Sequence, residues 1–444
     1  MNYFMRESPY RSLIVGVNTL VPLYNEKKMP YINFDNAATT PPLVSVLQAI
    51  NNFSPWYSSV NRGAGYKSQI SSKLYEDSRN IILNFVKANI EYDTVIYVKN
   101  TTEGINKLAN RLYDKDKNSV VLSTDMEHHS NDLPWRDKYN VDYIMIDKEG
   151  RLSLKDLENK LKKYNGLVKL VTVTGASNVT GLLNPIHEIA KITHKYNSKI
   201  LVDGAQLVPH ASVNMMQMGS PEHIDYLVFS AHKMYAPFGI GVLIGPKDIF
   251  TTGEPDYKGG GTVDLVTHEN VIWTTPPQKE EAGTQNLMGV IALTSAMKTL
   301  KEIGMENIEA YEKNLTHYAI SRLKNINDVE IYGSIDSSNE RVSIISFNIK
   351  GMHHSIAAEA LAKEAAIGVR TGCFCAHPYI QKLLKLSKED INKLSKASDI
   401  PRPGMVRISF GLYNGTNEID YFITALTAII KNKDYFIKKY SNKT

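Results

Sequence analysis

Val228-Phe229-Ser230-Ala231-His232-Lys233-Met234-Tyr235-Ala236-Pro237-Phe238-Gly239-Ile240-Gly241 is the stretch that decides how this chain folds. An apolar run ends in a small polar cluster and one lysine, then a Pro/Gly-rich turn enters a second apolar run, Val242-Leu243-Ile244. That layout predicts two buried strands, with Lys233 on the loop leaving the first, flanked by a hydroxyl and an imidazole. A lysine stripped of water gives up its proton more readily, and a neutral amine is a nucleophile suited to Schiff-base chemistry. Ser230 and His232 beside it can hold a phosphate. Taken alone, the segment reads equally well as an ordinary surface lysine between two strands.

Its upstream neighbour shifts that balance. In Lys199-Ile200-Leu201-Val202-Asp203-Gly204-Ala205-Gln206 a short apolar strand ends in an aspartate, followed by two small residues and an amide. An aspartate there is either a polar cap on the sheet or a counter-ion in a site outside the strand ends. A pyridinium nitrogen requires such a carboxylate, because the protonated ring is what makes pyridoxal 5'-phosphate an electron sink. Asp203 and Lys233 supply the two fixed partners of that cofactor, and the pair favours the cofactor reading over the two bland ones.

Composition sets the outer bounds. With 444 residues, 43% apolar and 22% charged, the chain has the length for two or three domains and a large core. Its 51 basic and 46 acidic residues leave a formal charge of +5, with no long basic block, so no nucleic-acid partner is expected. Residues 12–24 form a short apolar stretch interrupted by polar residues, without a basic lead or small-residue cleavage site. Neither a signal peptide nor a membrane span is predicted, and the expected compartment is the cytoplasm. The two cysteines, Cys373 and Cys375, are separated by one residue, too close for a structural disulfide. They read as chemistry or, more blandly, as two small core residues. No metal site is expected.

From residue 31 to about 295 short apolar runs alternate with helical patterns, which predicts an α/β fold with a largely parallel sheet. Candidate strands are 94–99, 120–123, 141–146, 168–174, 200–203, 226–230 and 241–244, with amphipathic segments at 73–86 and 185–196. Gly259-Gly260-Gly261 followed by Val271-Ile272-Trp273 suggests a hairpin-like excursion. A long helical region, 291–324, then leads to β-like runs at 329–332 and 342–348, a helix at 355–364, the cysteine loop, a β run at 406–410 and a helix at 418–431. This second part reads as a smaller α+β domain: residues 31–297 form the large domain, and 1–30 with 298–444 the small one. Residues 386–403, polar and bounded by proline, read as an exposed excursion.

Other motifs fit the same cofactor. Asn100-Thr101-Thr102-Glu103-Gly104 follows a strand and opens a helical pattern, making either a phosphate site or a plain N-cap. Glu127-His128-His129 follows another strand, where an imidazole can stack on a pyridine ring or serve a structural role. Ser177-Asn178-Val179-Thr180-Gly181 offers an amide to a ring hydroxyl, or simply makes a turn.

In this order the motifs closely resemble the class V aminotransferase-like enzymes, and among them the cysteine desulfurases of the SUF-system (group II) type. The likeness starts at Asn33-Phe34-Asp35-Asn36-Ala37-Ala38-Thr39-Thr40-Pro41. It continues through Glu127-His128-His129-Ser130-Asn131, Ser230-Ala231-His232-Lys233 and Glu281-Ala282-Gly283-Thr284-Gln285-Asn286 to Arg370-Thr371-Gly372 and Arg407. The resemblance implies the type I fold of pyridoxal-phosphate-dependent transferases and a cytoplasmic homodimer. It implies Lys233 as the Schiff-base lysine, Asp203 on the pyridine nitrogen, Gln206 and Asn178 near the ring hydroxyl, and His128 stacked on the ring with a second role in proton transfer. Thr101, Thr102, Ser230 and His232 would bind the phosphate, with Thr284 reaching in from the other subunit. Arg370 and Arg407, with Asn178, would hold the substrate carboxylate, and Cys375 would attack the sulfur of L-cysteine, or of a related sulfur or selenium amino acid. A persulfide left on Cys375 would then pass to an acceptor protein.

Two departures bear on that expectation. The desulfurases usually carry histidines where Asn61-Arg62-Gly63-Ala64-Gly65-Tyr66 stands, and again at Cys373-Phe374. The run Arg370-Thr371-Gly372-Cys373-Phe374-Cys375 looks more like the loop of molybdenum-cofactor sulfurases, as does Val406-Arg407-Ile408-Ser409-Phe410-Gly411. Alternatives on the same scaffold are a selenocysteine lyase, a C–S lyase, another class V enzyme or a molybdenum-cofactor sulfurase-like sulfurtransferase. A non-catalytic scaffold is the alternative of another class, and Lys233 with Asp203 speaks against it.

Overall fold

The computed structural model describes residues 6–61, 63–115, 118–336, 340–396 and 401–441. Among the described residues seven strands form the larger sheet: β1 (Asp93–Val98), β2 (Val120–Thr124), β3 (Asn140–Ile144), β4 (Val168–Thr174), β5 (Lys199–Asp203), β6 (Tyr226–Ser230) and β7 (Gly241–Pro246). Their spatial order is β1-β7-β6-β5-β4-β2-β3. All run in one direction except β7, which is antiparallel to both neighbours. The antiparallel β7 follows from the short Pro/Gly turn after Lys233, which reverses the chain without a crossover helix.

The strands read as unbroken apolar runs because the sheet is covered on both faces. In β1, Val95 and Tyr97 enter one core while Ile96 and Val98 enter another. In β5, Ile200 and Val202 alternate with Leu201 in the same way, and in β6 Leu227 and Phe229 alternate with Tyr226 and Val228. Helix α1 (Val44–Phe53) adds Val46 and Phe53 to the first of these cores, and α2 (Tyr66–Phe85), α3 (Thr101–Leu112) and α4 (Ile186–Lys195) pack on the strands.

The predicted helical region 291–324 is two helices, α5 (Leu287–Ile303) and α6 (Met305–Leu323). Gly304 breaks it with φ +90°, a backbone conformation that residues with a Cβ rarely adopt. Beyond it lies an antiparallel sheet of β8 (Val329–Tyr332), β9 (Ile344–Ile349), β10 (Arg370–Gly372) and β11 (Met405–Ser409), in the order β8-β9-β11-β10. Helices α7 (His354–Ala365) and α8 (Thr416–Lys431) cover one face, where Ile345, Phe347, Val406 and Ile408 meet Leu361 and Phe422. On the other face Ser346, Arg407 and Arg370 stand in register across the three strands. Phe34, near the chain start, belongs to this second core, and Ile32–Asn33 pairs in parallel with Ile367–Gly368.

The hairpin excursion is present, as antiparallel strands Val263–Val266 and Val271–Trp273. The polar stretch 386–403 contains an exposed helix, Lys388–Lys396, where the sequence reading had only an excursion; residues 397–400 lie outside the described residues. Arg62, in the segment lacking the family histidines, also lies outside them. Among the described residues no helix is long and apolar enough to cross a membrane.

Candidate active site

The carboxyl ends of β5 and β6 carry Asp203 and Ser230, and a cavity of about 230 Å³ opens just beyond them. Every residue that the resemblance assigned to cofactor, substrate or sulfur lines it except Thr284. Such a crevice is where open α/β sheets place their ligands.

Lys233 ends a single turn of 3-10 helix, Ala231–Lys233, that leaves β6. The loop is pinned on both sides: the His232 carbonyl accepts the Thr40 N–H at 3.0 Å, and the Tyr235 N–H donates to Thr40 Oγ1 at 2.7 Å. Burial lowers the Lys233 amine to about 8; Arg407 pushes the same way, while Asp203 and Cys375 oppose it. Asp203 is buried, which raises its carboxyl, against the Ala205 N–H bonded to Oδ1 at 2.9 Å and the Lys233 charge. Burial and the Lys233 charge hold His232 down at about 4 and His128 at about 3, so both imidazoles are neutral near pH 7. The Ser130 N–H donates to His128 Nδ1 at 3.1 Å, so the ring proton of His128 sits on Nε2.

At one end of the cavity α3 begins, with Asn100 as its N-cap accepting the Glu103 N–H at 3.0 Å. Thr101 commits both its N–H and its hydroxyl to Ser230 Oγ, at 2.8 and 2.7 Å. Thr102 remains exposed on the first turn, its hydroxyl 2.7 Å from Ser130 Oγ, which in turn lies 2.9 Å from His128 Nδ1. Ser130 carries this chain of hydroxyls, although only Glu127-His128-His129 stood out as chemistry. The hydroxyl side chains and the positive end of α3 suit a phosphate.

The second sheet supplies the opposite wall. Arg370 and Arg407 are register partners on β10 and β11, and both face Asp35, at 3.6 and 3.2 Å. Arg370 is exposed, with 55% of its side chain accessible, whereas Arg407 keeps only 4%. Burial lowers Arg407 to about 10, with Asp35 opposing, so the guanidinium stays charged at neutral pH. Asp35 itself was quoted within a motif yet given no role; only the fold brings it between the two arginines.

Cys375 follows Phe374 at the cavity mouth, and both adopt left-handed backbone, with φ of +54° and +48°. Each such residue costs about 1–2 kcal/mol, so neighbouring groups must impose the shape. Asn178 Nδ2 donates to the Phe374 carbonyl at 2.7 Å, and the His129 N–H to the Cys375 carbonyl at 2.7 Å. The Phe374 ring lies 4.8 Å from the Arg407 guanidinium carbon. Cys375 is exposed, whereas Cys373 is partly buried with its thiol donating to the Pro403 carbonyl at 3.1 Å. Burial, and secondarily Cys375, raise the Cys373 thiol above its ordinary range. The two are free cysteines. Thr284 sits apart, exposed in the turn after Gly283 (φ +87°), lining a different hollow with Ser59, Asn61 and Gly261.

A mainly parallel sheet presenting lysine and aspartate at its strand ends, closed by a small sheet bearing two arginines, defines the class. The chain belongs to the aminotransferase class-V family, whose model matches residues 32–422. More particularly, it is similar to the cysteine desulfurase of Haloferax volcanii, 33% identical over 414 residues that make up 91% of each chain. It is also similar to the cysteine desulfurase of Wigglesworthia glossinidia brevipalpis, 33% identical over 99% of this chain and 100% of that one. A solved apo structure of a cysteine desulfurase from Thermococcus onnurineus NA1 aligns with a TM-score of 0.81 at 32% identity, covering 94% of this chain and 98% of that one.

Enzymes of this family work with pyridoxal 5'-phosphate, and the residues present fit it. Gln206 donates through Nε2 to the Ala37 carbonyl at 2.7 Å, and its Oε1 is buried without a partner, an acceptor matched to a ring hydroxyl. Asp203 offers a buried carboxylate, and a cationic ring nitrogen would offset its desolvation.

Proposed function

We propose that this enzyme is a cysteine desulfurase: it converts L-cysteine to L-alanine and leaves the sulfur as a persulfide on Cys375 for an acceptor protein. The observation that carries the reading is the meeting of a depressed lysine, Lys233, and an exposed cysteine, Cys375, in one cavity. In it Asp203, Gln206, His128, Thr101, Thr102, Ser230 and His232 would hold pyridoxal phosphate. The bound cofactor supplies an electron sink through its protonated ring.

The protein side of the reaction then follows from the geometry. Arg370 and Arg407 grip the substrate carboxylate, the exposed arginine adapting to it and the buried one fixing its direction. Lys233, with an amine lowered to about 8, is neutral far more often near neutral pH than an ordinary lysine. It therefore serves first as nucleophile and afterwards as the base that takes the α-proton. His128, neutral and with its proton on Nε2, would lie against the bound ring; its low basicity leaves proton transfer to Lys233. Cys375 as thiolate attacks the substrate sulfur: an S–S bond forms, the C–S bond breaks, and the electron pair left on the β-carbon takes up a proton to complete alanine. The strained 374–375 backbone holds the thiol at the mouth, where an acceptor can reach it.

Residues 31–297 form the cofactor-binding part in this reading, and 1–30 with 298–444 the part that brings the cysteine loop. Thr284 completes the phosphate site of a second copy, making the working unit a cytoplasmic homodimer with two composite sites. Product analysis tests the proposal. With L-cysteine, one alanine should form per persulfide on Cys375, detected by mass spectrometry before any reductant is added. Free sulfide released without protein-bound persulfide would instead mark a C–S lyase, and activity confined to selenocysteine a selenocysteine lyase. An active monomer by light scattering would remove the role given to Thr284.

A further inference from the structure

The amino end of the larger sheet, remote from the cavity, holds a second cluster of reactive side chains. Asp225 precedes β6 and its side chain is only 1% exposed. His194 lies in the last turn of α4, and His223 sits two residues before Asp225; their rings stack at 4.2 Å with planes 17° apart. His194 Nδ1 is 2.8 Å from the Pro221 carbonyl, and His223 Nδ1 is 2.6 Å from the Ser220 carbonyl. A carbonyl oxygen only accepts, so both Nδ1 atoms carry protons.

That fixes what the other nitrogens offer. His194 Nε2 lies 2.8 Å from Asp225 Oδ2, and His223 Nε2 lies 3.3 Å from Oδ1. In a neutral imidazole with its proton on Nδ1, Nε2 is a lone pair, and a lone pair facing a carboxylate oxygen is repelled. Protonating both rings would relieve this by stacking two imidazolium ions face to face. The Lys199 ammonium, 2.8 Å from Oδ1, would then be a third cation around one carboxylate. A single divalent ion between the two Nε2 atoms and Asp225 relieves the same repulsion without that crowding.

We propose that His194, His223 and Asp225 form a binding site for a divalent transition-metal ion of the zinc type, separate from the catalytic cavity and structural in role. Metal-bound histidines characteristically donate their second ring N–H to a backbone carbonyl, the arrangement both rings already have. The three ligand atoms lie within 4.8 Å of one another. Ligands about 2.0–2.1 Å from zinc at tetrahedral angles stand about 3.3 Å apart, so the two nearly parallel rings must open on binding until both Nε2 lone pairs aim at one ion. Two imidazoles and a carboxylate select zinc, cobalt or nickel over magnesium or calcium, with water completing the shell. The partly exposed Lys199 side chain turns outward as the ion takes its place on Oδ1. The ion would tie the end of α4 to the start of β6.

The test uses the full-length, pyridoxal-phosphate-loaded enzyme with both thiols removed as C373S/C375S, so that cysteine cannot supply ligands. After chelator treatment it is titrated with Zn²⁺ by calorimetry and with Co²⁺ by visible absorption. The expected result is one ion per chain, a tetrahedral Co²⁺ spectrum and a higher Tm with Zn²⁺. Adding His194→Gln or His223→Gln should weaken binding at least about ten-fold. Absence of saturable one-to-one binding in C373S/C375S, or binding unchanged by both histidine substitutions, overturns the proposal and leaves the two rings as a protonated clamp on Asp225.

Discussion

The two walls of the cavity are built on opposite terms. On the Lys233 side, reactive groups stand at the ends of buried strands, and their loop is locked by Thr40, Tyr235 and the turn into β7. On the Cys375 side, the reactive group rides a short loop in which Phe374 and Cys375 both hold left-handed backbone. That loop keeps its shape through one side-chain amide, one backbone N–H and a ring beneath Arg407. A rigid wall suits the electron-sink chemistry, which needs a fixed ring and a fixed base. A strained, exposed loop suits the proposed role of a group that meets substrate inside and an acceptor outside.

If that contrast is right, substitutions on the two sides should fail differently. Lys233→Ala should have the largest effect, reducing turnover by about 10⁴-fold or more and abolishing the borohydride-sensitive absorbance of the bound cofactor. Near-normal turnover with another lysine labelled would break the assignment of the rigid wall. Cys375→Ser should lower desulfuration of cysteine by about 10²–10⁴-fold while that absorbance stays as in the parent, since the lysine chemistry precedes sulfur attack. Loss of the absorbance as well would mean that the two walls are not separable.

The next effect is a pH dependence. Burial sets the Lys233 amine at about 8, so it is protonated below that pH and neutral above it. Cofactor uptake by the cofactor-free enzyme, followed by its absorbance, should therefore rise with pH and reach half its maximum near 8. Asp203→Asn removes the group that holds the proton on, so it should move the midpoint lower; a midpoint moved higher would contradict the burial argument.

On the cysteine side, Asn178→Ala frees the Phe374 carbonyl and removes one restraint on the loop. It should reduce kcat for cysteine about ten-fold, in keeping with about 1–1.5 kcal/mol for a lost hydrogen bond, with the cofactor spectrum unchanged. The smallest effect belongs to Cys373→Ser, because its thiol is raised by burial and occupied by the Pro403 carbonyl. A few-fold loss at most is expected, with persulfide still found on Cys375; persulfide on Cys373 alone would exchange the two roles.

The same contrast explains what could be read from sequence. Asp203 and Ser230 were legible because each ends an apolar run, so the strand itself announces where its carboxyl end lies. Asn178 was expected near the ring hydroxyl and does line the cavity, but its bond to a carbonyl in the cysteine loop, a partner far away in sequence, was not legible. Asp35 came out as the shared counter-ion of two arginines only once β10 and β11 were paired. Long helical periodicity hid the break at Gly304, since a single glycine is tolerated in such a pattern and only its positive φ reveals the turn. The exposed helix Lys388–Lys396 was missed because it buries no residue and so leaves no core to signal it.

The alternation of side chains in β5 has a consequence for how such a chain can change over evolutionary time. Ile200 and Val202 serve one core and Leu201 the other, and Asp203 closes the strand. Swapping one aliphatic residue for another there disturbs packing only locally. Inserting or deleting a single residue would send every side chain to the wrong face and turn Asp203 away from the cavity. The strand can therefore drift in spelling but not in length, and lineages that gain or lose residues are confined to the connecting loops.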